Sequence, residues 1–283
     1  MIIAAGGYDW LEVWRRMYDQ EREQAERSTE PEFVRFADHW AAQVGRFAAA
    51  ARRAPQPDSF MRFVMPRLRP TDTVVDVGAG TGRYIPLLAA NVAQVVAVEP
   101  SPSMGAHLQE TIDESGLTNV RIIAEPWPGP TLPQADVVLS AHVLYSVREV
   151  GPFLQALDAA AGRSCYLLLV LRHPTAFISA FWERLRGEPR LPLPCGVEAL
   201  NVLYQLGISA NLQLVPVSSS YSYVGVQEAL DDIRYRLRYA PDPQRDARIL
   251  QLIDELMLHT PDGLLVPQGL LQQAAVIYWE RPS

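Results

Sequence analysis

The residues best placed for chemistry lie in the run Val75-Asp76-Val77-Gly78-Ala79-Gly80-Thr81-Gly82. A β-branched apolar run bounded by glycines reads as a buried strand. The apolar-periodic run Tyr84 to Ala90 behind it reads as a helix. Glycines at every second position let backbone approach a ligand and take positive φ without a Cβ clash. The helix start offers unpaired N–H groups and the positive end of a dipole. Asp76 adds an acceptor at the strand end. A second strand-like run, Val95-Val96-Ala97-Val98, ends in Glu99, whose carboxylate can accept both hydrogen bonds of a ribose diol. Together they describe a ligand cradle at the carboxyl edge of an α/β sheet.

Spacing separates two readings of this cradle. A dinucleotide site wants G-x-G-x-x-G. Here the third glycine comes one residue early, and Arg83 stands where that pattern has glycine. Residues 75–82, with Val96-Ala97-Val98-Glu99-Pro100-Ser101, resemble the class I S-adenosylmethionine-dependent methyltransferase family of the small-molecule type. The resemblance implies that Asp76, Gly78, Ala79, Gly80 and Gly82 hold the methionine part of S-adenosyl-L-methionine, with S-adenosyl-L-homocysteine as product. It also implies that Glu99 takes the ribose and that the stretch Pro100 to Met104 packs on the adenine. Ser101 or Ser103 equally reads as the cap of the helix Met104–Glu114. After the third strand, Glu125 stands where related enzymes place an acid against the adenine amino group. Trp127 either stacks on adenine or plugs the sheet edge. The segment Phe36 to Phe47 resembles the aromatic helix that closes over the cofactor, with Trp40 and Phe47 as lid candidates. Plain helix packing is the competing role, and Trp10 to Trp14 could serve as lid equally.

Ser140-Ala141-His142-Val143-Leu144-Tyr145 follows the fourth strand. In resembling enzymes this loop, Ala141 included, runs along the cofactor toward the sulfonium. His142 and Tyr145 are three apart and share a face on a helical turn. His142 is the general-base candidate because its unperturbed pKa lies near neutrality; capping a strand end is its competing role. Arg172-His173 follows the fifth strand, where the arginine could meet a substrate carboxylate, a phosphate or a neighbouring acid. His39, His107 and His259 fall on helices away from that edge. The Asn/Asp-Pro-Pro-Tyr/Phe motif of base aminomethyltransferases is missing, since Ser140-Ala141-His142-Val143 holds its place. Pro194-Cys195 comes one strand too late for a cytosine C5 nucleophile. No Cys/His cluster suggests a metal. The expected reaction is methyl transfer to an oxygen, nitrogen or carbon of a small molecule, in which the enzyme mainly aligns the nucleophile. Two other classes stay open: an NAD-type oxidoreductase, against which Arg83 counts, and a non-enzymatic cofactor-binding module.

The elements that must position these residues follow an alternating rhythm. From Asp72 onward, strands are expected at Thr73–Val77, Val95–Val98, Arg121–Ala124, Asp136–Ser140, Cys165–Leu171, Leu212–Val217 and Ala274–Glu280. Helices fall between them at Tyr84–Ala90, Ser103–Glu114, Gly151–Ala161 and Val197–Leu206. This is a doubly wound, mostly parallel seven-stranded sheet of Rossmann-like type. Residues 1–70 read as an N-terminal helical cap, and 71–283 as the methyltransferase domain. Two helical insertions exceed the minimal fold, at about 174–194 and 221–268; the second holds helices Gln227–Tyr239 and Gln244–His259. A chain of 283 residues needs no staples, and its two cysteines form no framework. A net charge of −7 with scattered basic residues disfavours nucleic acid. No apolar run approaches membrane-spanning length, and the start lacks the basic region of a secretory leader. The expected setting is cytoplasmic, with a homodimer left open.

Overall fold

The computed structural model describes all residues except 1–6, 35–37, 39, 42–43, 54–55, 172–173, 217–221, 262, 269–272 and 282–283, and the side chains of 46, 50, 52–53 and 174–175. Three helices precede the sheet: α1 (Trp10–Arg27), α2 (Val44–Arg53) and α3 (Ser59–Val64). The alternating part runs β1 (Thr73–Val77), α4 (Ile85–Ala89), β2 (Gln94–Val98), α5 (Pro102–Glu114), β3 (Val120–Ile123), β4 (Ala135–Ala141), α6 (Val150–Ala160) and β5 (Ala161–Val170). Then come α7 (Ile178–Arg186), α8 (Gly196–Gln205), β6 (Asn211–Pro216), α9 (Val226–Arg236), α10 (Pro243–Leu256), the short strands β7 (Met257–His259) and β8 (Leu265–Pro267), and β9 (Gln273–Glu280).

Seven strands form one sheet in the order β3-β2-β1-β4-β5-β9-β6. All pairs are parallel except the two made by β9. The chain enters at β1, winds outward to β3, then returns to β4 on the other side of β1. That reversal makes β1 and β4 the switch point, where the loops diverge and leave a crevice at the carboxyl edge. β1 is buried along Val74–Val77, because helices cover both faces. One apolar layer, with Val75, Leu154, Leu167 and Val202, lies under α6 and α8. The other, with Phe60, Ile85, Leu88, Leu108 and Tyr166, lies under α3, α4 and α5.

Helix α1 is part of the first layer. Trp14 is fully buried, packs in the α6–α8 core and donates its indole N–H to the Val147 carbonyl at 2.8 Å. Trp10 to Trp14 is therefore core and strut, not a lid. The aromatic segment expected as one helix from Phe36 to Phe47 is broken: Asp38 lies in a bend, Trp40 and Ala41 in a turn, and helix starts only at Val44. Phe36, Ala37, His39, Ala42 and Gln43 lie outside the described residues. The helix expected to reach His259 stops at Leu256, where the chain straightens into the β7–β8 hairpin.

The two insertions fold onto one core of their own, with Phe181 and Trp182 from the first and Tyr223, Ile233, Ile249 and Leu252 from the second. Tyr223 ties it together, pairing with Leu265 and donating to Asp232 at 2.6 Å. Stacked cations and rings fasten this helical module. Arg190 lies 4.3 Å over Trp182, Arg186 lies 4.8 Å over Trp182 and 4.3 Å over Tyr239, and Arg245 lies 4.2 Å over Tyr239. The ladder ends on carboxylates of the N-terminal segment, Glu21 for Arg190 and Glu30 for Arg245. Because β5 and β6 end at the carboxyl edge and antiparallel β9 begins there, the module is attached at that edge, on the β5-β9-β6 half of the sheet.

Candidate functional site

The glycine bend closes on the second strand. The N–H groups of Gly78 and Ala79 both donate to the Val98 carbonyl, at 2.8 and 3.1 Å. Gly78, Gly80 and Gly82 all have positive φ, of 77°, 57° and 87°. Their surroundings divide them into two kinds. A Cβ on Gly78 would sit 2.3 Å from Val143 Cγ2, and one on Gly82 would sit 2.9 Å from Leu108 Cδ1. These two let neighbouring elements approach. A Cβ on Gly80 would meet nothing within 4 Å. Gly80 therefore presents bare backbone to open space, as a ligand cradle requires.

Glu99 lies beside this space. It is 6% exposed, and its two oxygens accept from the N–H groups of Gly80 and Ser101, each at 2.8 Å. Burial pushes its pKa up, and those two N–H groups oppose the rise. Each carboxylate oxygen keeps a lone pair beyond the backbone bond. Asp76 differs. It is 2% exposed, and its carboxylate meets no donor among the described residues. Burial, and then the nearby Glu99 charge, push its pKa up to about 7. A buried acid without a donor is costly, and a cation or donor from a ligand would relieve it.

At the end of β4, His142 takes φ of 60°, unusual for a residue with a side chain. Its N–H is fixed by the Leu168 carbonyl at 2.9 Å. Its Nδ1 lies 3.3 Å from the Tyr145 hydroxyl, which also accepts from the Val170 N–H at 2.7 Å. The structure thus brings His142 and Tyr145 together across a short turn and ties them to the end of β5. Burial, and then the Arg83 charge, pull the His142 pKa down to about 4. Its free-solution value is no guide here, and the ring is neutral at pH 7. Ala141 precedes it as the last residue of β4.

Other sequence-derived candidates fall into place around this centre. Pro100 follows Glu99, and Met104 is buried in the first turn of α5, with its N–H capped by the Ser101 hydroxyl at 3.2 Å. Glu125 is exposed in the loop after β3. Trp127 donates its indole N–H to the Phe153 carbonyl at 3.3 Å and packs against the core under α6, which is the edge-plug arrangement. Trp40 meets Phe47 edge to face at 5.5 Å. His107 pairs with Glu110 on the flank of α5, away from the bend. Arg172 and His173 lie outside the described residues.

Two further residues, Asp38 and Asp58, take part in the site. Asp38 accepts from the Ser101 hydroxyl at 2.9 Å and from the N–H groups of Ser103 and Trp40 at 3.0 Å. Burial works against its charge, yet the bonds from Ser103, Trp40 and Ser101 hold its pKa down at about 2. It pins the segment carrying Trp40 onto the start of α5. Nothing periodic in the sequence signals this contact across the fold. Asp58 caps α3 through the Met61 N–H, a role its place before Ser59 does signal. It also binds Arg83 at 2.6 Å and the Tyr84 hydroxyl at 2.9 Å. Among the described residues, no group of three or more His, Cys, Asp or Glu could hold a metal ion, and no helix is long and apolar enough to cross a membrane.

An α/β sheet with a bare glycine bend at its switch point and an acid just past the next strand has donors and acceptors that suit a nucleoside. Residues 74–161 match the family model described as a methyltransferase domain. An uncharacterized protein of Haemophilus influenzae is 29% identical over 151 residues, covering 52% of this chain and 55% of that protein. A candidate dimethyladenosine transferase of Dictyostelium discoideum is 35% identical over 82 residues, covering 29% of this chain and 26% of that protein. The matches thus span about half of the first relative and about a quarter of the second. The solved structure of a methyltransferase candidate from Bacillus halodurans is 12% identical, with 80% of this chain and 100% of that one covered and a TM-score of 0.54. At that identity the likeness is one of fold. Residues 74–161 are thus similar to methyltransferase domains, and the sheet around them has the Rossmann-like methyltransferase fold.

Proposed function

We propose that this protein transfers a methyl group from S-adenosylmethionine to an oxygen, nitrogen or carbon of a small molecule. The observation that carries this reading is the pairing of Gly80 with Glu99. Gly80, where a Cβ would meet nothing within 4 Å, donates its N–H to a buried carboxylate just past the end of the next strand. The bound cofactor supplies an electrophilic methyl on a sulfonium. Glu99 takes the ribose diol, and Asp76 takes the amino group through the donor-free face of its carboxylate. Gly78, Ala79, Gly80 and Gly82 give close backbone approach, and Pro100 and Met104 line the adenine side. Glu125 takes the adenine amino group, Trp127 walls that side, and Ala141 follows the cofactor toward the methyl. Trp40 covers the cofactor, held by Asp38. His142 and Tyr145 orient the acceptor; with its ring neutral at pH 7, His142 serves first as a hydrogen-bonding partner and only weakly as a base. The helical module is attached on the carboxyl-edge side nearest these two residues, which supports an enclosed small-molecule acceptor over an open nucleic-acid surface.

The test has two parts. Calorimetric titration with S-adenosylhomocysteine should show one site per chain, and NAD should show none. Incubation with methyl-labelled cofactor and a metabolite panel should then yield a labelled small molecule. Binding of NAD without binding of the thioether would overturn the reading. Tight thioether binding with no transfer to any acceptor would assign a cofactor-binding module instead.

A further inference from the structure

We propose that Tyr145 fixes His142 in the tautomer with its proton on Nε2, and that this N–H holds the carboxylate of a small-molecule acid, which accepts the methyl group as an ester. This rests on the methyl-transfer reading above and names its acceptor class. Position comes first. The Ser140 hydroxyl donates to the Val77 carbonyl at 3.0 Å, so the two switch-point strands end side by side. Val143, next after His142, lies against the glycine bend, its Cγ2 2.3 Å from where a Cβ on Gly78 would sit. On the other side the Leu168 carbonyl of β5 holds the His142 N–H at 2.9 Å. His142 is thus fixed between the glycine bend and the end of β5, at the switch point.

The tautomer follows from the Tyr145 hydroxyl. Its oxygen accepts the Val170 N–H at 2.7 Å, a short bond for an amide donor, and lies 3.3 Å from His142 Nδ1. An oxygen that already accepts one short bond is a poorer acceptor for a second N–H and, polarised by the first, a better donor. The hydroxyl proton therefore points to Nδ1, which must be bare to receive it. A neutral imidazole has one proton, so that proton sits on Nε2. Nε2 has no partner among the described residues, which leaves it for a ligand. Such a donor takes no proton from the acceptor and finds no lone pair on an ammonium. It matches an anionic oxygen. A carboxylate is ionised at neutral pH without an enzyme base, and it has two oxygens, one to be held and one to attack. The attacking oxygen forms the bond to the methyl carbon. The C–S bond breaks with its electron pair going to sulfur, which leaves as a neutral thioether, and no proton moves.

Nitrogen NMR of wild-type protein labelled at histidine reads the tautomer directly near neutral pH. His142 should show a protonated Nε2 and a bare Nδ1, and Tyr145→Phe should return it to the mixture of free neutral histidine. A proton on Nδ1 in the wild type would overturn the inference. Methyl-labelled S-adenosylmethionine would then be offered to the wild type with paired panels, each carboxylic acid beside the amine of the same skeleton. Label should enter acids as base-labile methyl esters; label confined to amines, or entering no acid, would overturn the acceptor class. His142→Gln keeps an N–H donor but has no basic nitrogen. It should hold turnover within about tenfold of wild type, while His142→Ala falls about a hundredfold. Equal losses in the two variants would make His142 something other than a donor. Calorimetry with S-adenosylhomocysteine keeps the two levels apart, since a wild type that fails to bind the thioether would sink the cofactor reading whatever the tautomer of His142.

Discussion

Asp76 offers the sharpest test of how this site stores its affinity. The carboxylate is 2% exposed and meets no donor among the described residues, and its pKa is raised from an ordinary 3.8 to about 7. The sign follows from linkage. Below pH 4 the group is protonated in both folded and unfolded chains, and the fold bears no charge penalty. Between about 4 and 7 the folded chain keeps a proton that the unfolded chain releases, so stability falls as pH rises. Above 7 both states are ionised and the full penalty stands, on the order of 4 kcal/mol. Asp76→Asn removes the charge and nearly keeps the shape. Its stability relative to wild type should therefore be close to zero near pH 4 and grow toward several kcal/mol by pH 8. For a chain of this size each kcal/mol moves Tm by about 2–4 °C. The assay is thermal unfolding of the ligand-free protein across that pH range, for both forms. The same substitution should weaken S-adenosylhomocysteine, because the asparagine cannot neutralise an ammonium. Wild-type binding near pH 6 should release protons, visible as a dependence of the calorimetric heat on buffer ionisation. A stability difference between variant and wild type that stays constant from pH 4 to 8 would refute the reasoning.

Three further substitutions divide the site by role. Glu99→Ala should reduce S-adenosylhomocysteine affinity by about 2–3 kcal/mol, because the ribose loses charge-assisted bonds; calorimetry would read this, and an unchanged constant would place the ribose elsewhere. Gly80→Ala should cost the fold only about 1 kcal/mol for its left-handed backbone while cutting ligand affinity at least about tenfold, whereas Gly78→Ala should lower Tm sharply because its new methyl would lie 2.3 Å from Val143 Cγ2. His142→Ala should lower turnover more than cofactor affinity, and the wild-type rate should show no His142 inflection between pH 6 and 8, since that ring titrates at about 4; equal losses in turnover and affinity would move His142 into the cofactor pocket.

The sheet and its bend were legible because their signals are local. Thr73–Val77 sets buried valines on both faces, Val74 on one and Val75 and Val77 on the other, as a strand covered by helices on both sides does, with Asp76 the one acid in the run. Gly78, Gly80 and Gly82 announce themselves by type, and Glu99 by its place at the end of the next apolar run. Where the sequence misled, the deciding contact lay far along the chain. Trp14 looks like any aromatic on an amphipathic helix until its indole finds the Val147 carbonyl. The run from Phe36 has helical spacing, yet Asp38 is drawn to Ser101 and Ser103, and the chain turns there instead. The pKa of His142 could not be read from its type, because burial and Arg83 set it.

The N-terminal segment has a mechanical place that no single motif reveals. One end of α1 is bolted to the connection between β4 and α6 through Trp14 and Val147. Its other end meets the helical module, where Gln24 binds the Pro189 carbonyl at 2.8 Å and the Leu191 N–H at 2.8 Å, and Glu30 takes Arg245. Shortly beyond Glu30 the chain reaches Asp38 and the start of α5, beside Glu99. One stretch of chain therefore touches the helical module, the turn that follows His142 and Tyr145, and the start of α5 beside Glu99. Side-chain hydrogen bonds at each contact tie these parts to one another. Near-attack geometry between two separately bound molecules demands such a common frame, since a misplacement of about 1 Å can cost a hundredfold in rate. The charged pairs along and just after α1, Glu21 with Arg190 and Glu30 with Arg245, belong to the same frame.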